Sequence, residues 1–143
     1  MSQQVDYSLQ RRTEAQNYAH DFVPLIPAPL AADLIEAAAP EPGEYVVDVA
    51  CGTGVLTRLA AERVGVDGRV VGVDLTPDML EIARATSNST IEWRHADAQA
   101  LPLPDESFDL VLCQLGLMFF PDRSAAVREM RRILSPGGRV AIN

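Results

Sequence analysis

Apolar residues recur along the chain in two alternating patterns. Short β-branched runs predict strands at 45–50, 69–74, 90–94, 109–114 and 138–142, and helical periodicity predicts helices at 54–64, 77–87 and 122–134. In the first of these helices Leu56, Ala60 and Val64 share one face. Strands that alternate with helices are typical of a parallel sheet with crossover helices, so the pattern predicts an α/β fold.

Prolines interrupt the first part of the chain. They stand at positions 24, 27, 29, 40 and 42 and restrict helix to two segments, about Ser8 to His20 and about Leu30 to Ala39. We therefore expect residues 1–43 to form a helical preface that lies against the sheet. Residues 44–143 are expected to form the core, and both parts together a single domain.

Three element boundaries are predicted by residue type. Thr76 is expected to cap the helix that begins with Pro77 at its first position. Asp122 is expected to cap the helix at 122–134. The Ser135-Pro136-Gly137-Gly138 segment is expected to end that helix and to turn the chain into the last strand.

Composition narrows the class of protein. The chain has 143 residues, 48% hydrophobic and 22% charged, and no apolar run approaches the ~20 residues of a membrane span. No secretory signal is visible at the N-terminus. Cys51 and Cys113 stand alone, which argues against a disulfide framework or a zinc site. We expect a reduced, cytoplasmic location, no transmembrane segment and no metal.

Charge bears on the partners. Twelve cations, all arginine, oppose twenty acidic residues and give a net charge of −8. A nucleic-acid partner is disfavoured because binding to a phosphate backbone requires positive charge.

A glycine-rich turn carries the candidate chemistry. The run from Val46 to Val49 includes Asp48 and leads into Ala50-Cys51-Gly52-Thr53-Gly54. Glycines at this position allow a ligand to approach the backbone, and the following helix N-terminus can face an anionic group. Asp74 ends the next strand 20 residues after Gly54, where a carboxylate can accept both hydroxyls of a ribose. These residues alone allow either a nicotinamide cofactor or S-adenosylmethionine.

Two further observations favour S-adenosylmethionine. The third glycine position of the dinucleotide motif is occupied by Thr57. Asp48 precedes the turn, and Asp97 follows the third predicted strand. A negative lining suits a ligand that carries a sulfonium and an ammonium better than one that carries a pyrophosphate.

Four segments in fixed order resemble the class I S-adenosylmethionine-dependent methyltransferases, and among them the ubiquinone and menaquinone C-methyltransferases. The segments lie at 46–54, at 73–80, at 97–111 and at 134–139, and together they cover most of residues 44–142. The resemblance implies a Rossmann-like parallel sheet of order 3-2-1-4-5 with helices on both faces. It also implies an enzyme that uses S-adenosylmethionine to methylate a small molecule.

The resemblance also implies roles for individual residues. Asp48 and the backbone from Ala50 to Gly54, including Gly52, would hold the methionine part of the cofactor. Asp74 would bind the ribose hydroxyls, and Leu75 and Met79 would pack on the adenine. Asp97 would meet the adenine amino group, the Ala98 amide would lie at the ring edge, and Gln114 would lie near the methionine end.

The acceptor side is less defined. The sequence assigns no catalytic residue, because a methyl donor that is already activated needs mainly positioning. We expect the chain to be a fragment that stops inside the fifth strand and lacks the family's C-terminal antiparallel strands. An uncovered fifth-strand edge would then favour self-association. A non-catalytic binding module and, on the glycines and Asp74 alone, a nicotinamide dehydrogenase domain remain as alternatives.

Several other residues have simpler interpretations. Both cysteines are expected to be small buried hydrophobes, and His20 and His95 are weaker candidates for a general base. Arg128, Arg131 and Arg132 are expected to form a solvated helix face. Tyr18 and Phe22 are expected to pack in the core or, as an alternative, to close over the cofactor.

Overall fold

The computed structural model describes residues 12–88 and 90–143. Its centre is a five-stranded sheet in which all neighbouring strands are parallel, with the order β3-β2-β1-β4-β5. The strands are β1 Tyr45–Val49, β2 Arg69–Asp74, β3 Ile91–His95, β4 Phe108–Cys113 and β5 Leu134–Ile142. This order confirms the predicted Rossmann-like α/β class.

Helices cover both faces of the sheet. They are α1 Glu14–Asn17, α2 Pro27–Ala38, α3 Val55–Val64, α4 Pro77–Ala85 and α5 Arg123–Ile133, with a π-helical turn at Tyr18–Phe22 and a 3₁₀ turn at Leu117–Phe119. Alternate residues of each strand point to opposite faces, so the central valines divide between two cores. Val47 and Val49 pack with Met130 and Ile133 of α5, while Val46 packs with α2 and α3.

The preface differs from the prediction. The predicted helix start at Ser8 lies outside the described residues. Among the described residues α1 begins at Glu14, and the hydroxyl of its N-cap residue Thr13 accepts a hydrogen bond from the amide of Gln16. The second helix begins at Pro27 rather than at Leu30. Proline is tolerated in the first turn of a helix because its missing N–H needs no partner there. The division at residue 43 stays a prediction.

The predicted caps have different outcomes. Asp122 caps α5 as predicted, since its carboxylate accepts from the Ala125 amide at 2.9 Å. Thr76 occupies the N-cap position of α4 but makes no capping bond with its side chain. Its own amide donates instead to Asp74 Oδ1 at 2.8 Å. Thr76 is therefore the N-cap residue before Pro77, as predicted, but its side chain makes no capping hydrogen bond.

The last strand begins earlier than predicted. β5 pairs with β4 already at Leu134, loses register, and pairs again from Arg139 onwards. The predicted turn at 135–138 therefore lies within the irregular part of β5, and α5 ends at Ile133. β5 lies at one edge of the described sheet. Self-association through this edge stays a prediction.

None of the helices among the described residues is long and apolar enough to cross a membrane.

Candidate functional site

A cavity of about 500 Å³ opens at the carboxyl ends of β1 to β4. Open parallel sheets bind ligands at this edge, where the connections on either side of the first strand diverge. Eight of the ten predicted site residues line it, namely Ala50, Gly52, Asp74, Leu75, Met79, Asp97, Ala98 and Gln114. The structure thus brings together residues from four separate connections. Asp48 and Gly54 do not line this cavity.

The turn after β1 is held by the strand beside it. Gly52 has a φ of +55°, and a Cβ at this position would meet open space, so backbone conformation rather than packing favours glycine here. The Gly52 amide donates to Asp74 Oδ2 at 2.8 Å. The other Asp74 oxygen accepts from the Thr76 amide. Each carboxylate oxygen keeps a second lone pair with which to accept from a ligand.

Two non-glycine residues in the left-handed region also line the cavity. Ala50 has a φ of +59° and Leu115 a φ of +53°. A Cβ on Gly116 would lie only 2.6 Å from the Cβ of Ala50, so Gly116 has no room for a side chain. Strained backbone of this kind persists where the surrounding packing fixes it, and it is frequent at binding sites. Sequence reasoning missed this contact between the turns after β1 and β4.

Asp48 lies behind the cavity wall, beside a smaller cavity that Gly52 and Gln114 also line. Its side chain is buried, and the Thr57 hydroxyl donates to Asp48 Oδ2 at 2.7 Å. Burial raises the pKa of Asp48 to about 7, and the nearby Asp74 carboxylate adds to this rise, while the Thr57 hydrogen bond opposes it. Thr57, at the third glycine position of the dinucleotide motif, therefore supplies the hydroxyl that satisfies a buried carboxyl.

Gly54 serves packing rather than the cavity. It is the N-cap residue of α3 with a φ of +86°, and a Cβ there would lie 2.5 Å from the Trp93 ring. The same ring covers Gly72, its partner in the register between β2 and β3. The two glycines make room for one indole. Because Trp93 belongs to β3, the sequence around Gly54 gave no indication of this contact.

The segment after β3 presents Asp97 and Ala98 to the cavity. Asp97 Oδ1 accepts from the Gln99 amide at 2.8 Å, and both carboxylate oxygens accept from Gln99 Nε2 at 3.2 and 3.1 Å. Further along the segment, the Leu101 amide donates to Glu129 of α5.

Arg132 of α5 holds the same segment. It donates to Glu129, Asp105 and the carbonyls of Leu101 and Leu103. Together these bonds match the five N–H groups of a guanidinium. The prediction of a purely solvated arginine face was therefore wrong for Arg132, while Arg128 is exposed.

Gln114 carries a buried acceptor without a partner among the described residues. Its Nε2 donates to the Pro27 carbonyl at 2.7 Å, which fixes the orientation of the amide. Its Oε1 is buried and makes no hydrogen bond. An unpaired buried oxygen is costly. It fits a ligand that supplies an N–H donor at this end of the cavity.

The lining of the cavity is acidic and apolar. Among the described residues its charged side chains are Asp74 and Asp97, with no arginine, lysine or histidine. Tyr18 and Phe22, for which core packing was the favoured interpretation, line the cavity with ring centroids 5.3 Å apart. Burial and the Asp74 carboxylate raise the pKa of Tyr18. The site therefore favours a cationic ligand with an apolar part.

The remaining candidates lie elsewhere. Cys51 and Cys113 are buried, and burial raises the pKa of both thiols, so neither is a ready nucleophile. His95 ends β3, and its Nε2 donates to the Leu75 carbonyl at 2.9 Å; neither His95 nor His20 lines the cavity. No cluster of three or more potential metal ligands occurs within the described parts of the chain.

Residues 47–142 match the model of a family described as a methyltransferase domain. The chain belongs to this family. It is 47% identical over 102 residues to a 2-phytyl-1,4-naphtoquinone methyltransferase of Thermosynechococcus vestitus, a match that covers 70% of this chain and 45% of that protein. It is 39% identical over 113 residues to the ubiquinone/menaquinone biosynthesis C-methyltransferase UbiE of Shewanella frigidimarina, covering 76% and 45%.

A solved structure supports the same assignment. The crystal structure of an S-adenosylmethionine-dependent methyltransferase from Mesorhizobium loti matches with a TM-score of 0.68 and 36% identity, over 80% of this chain and 52% of that one. The predicted similarity of this methyltransferase domain to the class I S-adenosylmethionine-dependent group is thereby confirmed. The chain spans a little under half the length of the curated relatives it matches.

Proposed function

We propose that this methyltransferase domain binds S-adenosylmethionine in the cavity and belongs to an enzyme that methylates a small molecule. The observation that carries the proposal is the cavity itself, which gathers eight of the ten predicted cofactor-binding residues at the carboxyl ends of four strands. Its two carboxylates and the unpaired Oε1 of Gln114 match a ligand that carries positive charge and N–H donors.

The residues of the cavity fit the parts of this cofactor in sequence. Asp74 would accept from the ribose hydroxyls with the lone pairs that the backbone amides leave free. Leu75 and Met79 would pack on the adenine, while Asp97 and the Ala98 amide would read its edge. Gln114 and the turn at Gly52 would hold the methionine part, with Asp48 behind them. Gly54 would act by shaping the turn.

The same features argue against a nicotinamide dinucleotide. A pyrophosphate brings negative charge, and the described lining offers two carboxylates and no basic side chain. Thr57 fills the position at which the dinucleotide motif has its third glycine, and its hydroxyl is bonded to Asp48.

The mechanism requires mainly positioning. When bound, S-adenosylmethionine supplies a methyl group on a positively charged sulfur, which is transferred by in-line displacement. The chain's own contribution is to orient the donor through Asp74, Asp97 and Gln114, with the Tyr18 and Phe22 rings lining the same cavity. Inversion of a chiral, isotopically labelled methyl group is the expected stereochemistry, and retention would contradict a single direct transfer.

The acceptor is proposed to be an apolar aromatic compound of the quinol type. Two relatives carry quinone methyltransferase names. The cavity mouth supports this, because Phe22, Met118 and Phe119 line it and remain between 40% and 76% exposed. Exposed apolar patches of this kind mark binding surfaces.

Calorimetric titration of the full-length protein with S-adenosylmethionine tests the cofactor assignment. We expect binding to the unmodified protein and a loss of affinity of at least about tenfold in Asp74→Ala, because two hydrogen bonds to a carboxylate are removed. Asp67→Ala, at an exposed position, is the matched control and should bind normally. A folded protein that takes up no cofactor, or equal affinity in Asp74→Ala, would refute the assignment.

A methyl-transfer assay then separates the enzyme from the alternative. Transfer of label to a quinol by the full-length protein supports catalysis. Cofactor binding with no transfer to quinol, phenol or acid acceptors would favour the non-catalytic binding module.

A further inference from the structure

Gln99 uses both ends of its side chain. Its Nε2 donates to the two carboxylate oxygens of Asp97, and its Oε1 accepts from the Asp122 amide at 2.8 Å. The orientation of this amide is fixed, because only the nitrogen can donate to a carboxylate and only the oxygen can accept from an N–H. Gln99 thus connects the adenine-side carboxylate to the first residue before α5.

These bonds limit what Asp97 can still accept. Oδ1 already accepts from the Gln99 amide and from Nε2, while Oδ2 accepts only from Nε2. A carboxylate oxygen has two lone pairs, so Oδ2 keeps one for a donor in the cavity that Asp97 lines. In the Asp97 carboxylate, Oδ1 is therefore fully used by Gln99, while Oδ2 can still accept a hydrogen bond from a ligand.

The far end of Gln99 meets the mouth of the cavity. Asp122 is the N-cap of α5 and follows directly on the segment 115–121, which contributes Met118, Phe119 and Phe120 to the lining. Through the hydrogen bond from the Asp122 amide, Gln99 links the mouth segment 115–121 to the Asp97 carboxylate. The Glu129 and Arg132 bonds hold the segment around Leu101 independently of Gln99. Removal of the side-chain amide of Gln99 should consequently leave the fold in place.

We propose that Gln99 is a positioning residue that orients the Asp97 carboxylate toward the amino group of the adenine and ties it to the mouth segment through Asp122. The inference rests on the proposed binding of S-adenosylmethionine. It assigns Gln99 no direct part in methyl transfer. Its effect should appear in the recognition of the one ligand group that Asp97 faces.

A pair of ligands that differ at this group provides the test. S-adenosylhomocysteine carries the adenine amino group, whereas S-inosylhomocysteine carries an oxygen in its place. In the full-length protein, calorimetry should show that Gln99→Met weakens binding of the adenosyl ligand by about tenfold and leaves binding of the inosyl ligand nearly unchanged. The ratio of the two affinities should fall accordingly. Arg128→Met, on the exposed face of α5, is the control and should keep the ratio of the unmodified protein.

A second variant keeps the test decisive if Gln99→Met does not fold. Gln99→Glu retains the acceptor for the Asp122 amide but places a second carboxylate against Asp97. The ratio should fall here too, because the second carboxylate repels Asp97 and can no longer donate a hydrogen bond to it. Equal weakening of both ligands, or an unchanged ratio in a folded variant, would overturn the positioning role. Failure of the unmodified protein to bind S-adenosylhomocysteine would overturn the proposed function instead.

Discussion

The buried carboxyl of Asp48 makes a quantitative prediction possible. Burial raises its pKa from 3.8 to about 7, with the Asp74 carboxylate contributing and Thr57 opposing. In the unfolded chain the group titrates near its ordinary value. Between these two pKa values the folded state binds a proton that the unfolded state has lost, so stability falls as pH rises. At 1.36 kcal/mol per pKa unit, the full difference is about 4 kcal/mol.

Asp48→Asn removes this dependence. The amide stays neutral at every pH, and its Oδ1 can still accept from the Thr57 hydroxyl. Below pH 4 the variant and the unmodified protein should be about equally stable. The variant's advantage should grow across the interval from pH 4 to 7 and reach up to about 4 kcal/mol at pH 8.

Urea unfolding at pH 5, 6, 7 and 8, followed by circular dichroism, measures this difference. Asp67→Asn, at an exposed position, is the control and should show no such trend. A stability difference that does not change with pH would refute the raised pKa. A variant less stable than the unmodified protein at pH 8 would show that the charged form is compensated inside the fold.

Two further comparisons use matched pairs. Gly43 and Gly54 have φ values of +85° and +86°, but only at Gly54 would a Cβ meet Trp93. Gly43→Ala should therefore cost about 1 kcal/mol and Gly54→Ala at least about 1 kcal/mol more in urea unfolding, whereas equal losses would contradict the packing role. Arg132→Ala should lower the free energy of unfolding by about 1–2 kcal/mol, since its hydrogen bonds to α5 and the segment at 101–105 are lost. Arg128→Ala should stay within about 0.5 kcal/mol, and similar effects in both would exclude a clamping role.

The sequence predicted the sheet well because its evidence was local. β-branched runs mark the strands, and the order of the motifs carries the family's topology. The start of α2 at Pro27 was placed too late, at Leu30, because the proline was treated as a barrier, although the first helical turn accepts it. The Thr76 amide found a carboxylate two residues away, which no capping rule for its side chain anticipates.

The sequence predicted most of the residues that line the site, but not the packing contacts and hydrogen bonds that hold them in place. Asp74 and Asp97 follow strand ends, so their position at the cavity could be inferred from the topology. The roles of Gly54 and Arg132 depend on Trp93 and on the segment around Leu101, which lie about thirty or more residues away in the chain. Such partners are chosen by tertiary packing, and no local pattern of polar and apolar residues contains them.

The indole that covers Gly54 and Gly72 has an optical consequence. Trp93 is the only tryptophan in the sequence. When the protein is excited at wavelengths that tyrosine does not absorb, its fluorescence therefore comes from this one side chain. It lies at the junction of β2, β3 and the start of α3, where the indole packs on Gly72 and Gly54. The protein thus contains its own fluorescent reporter, packed on the end of the same 50–54 turn that contributes Ala50 and Gly52 to the cavity, with no label required.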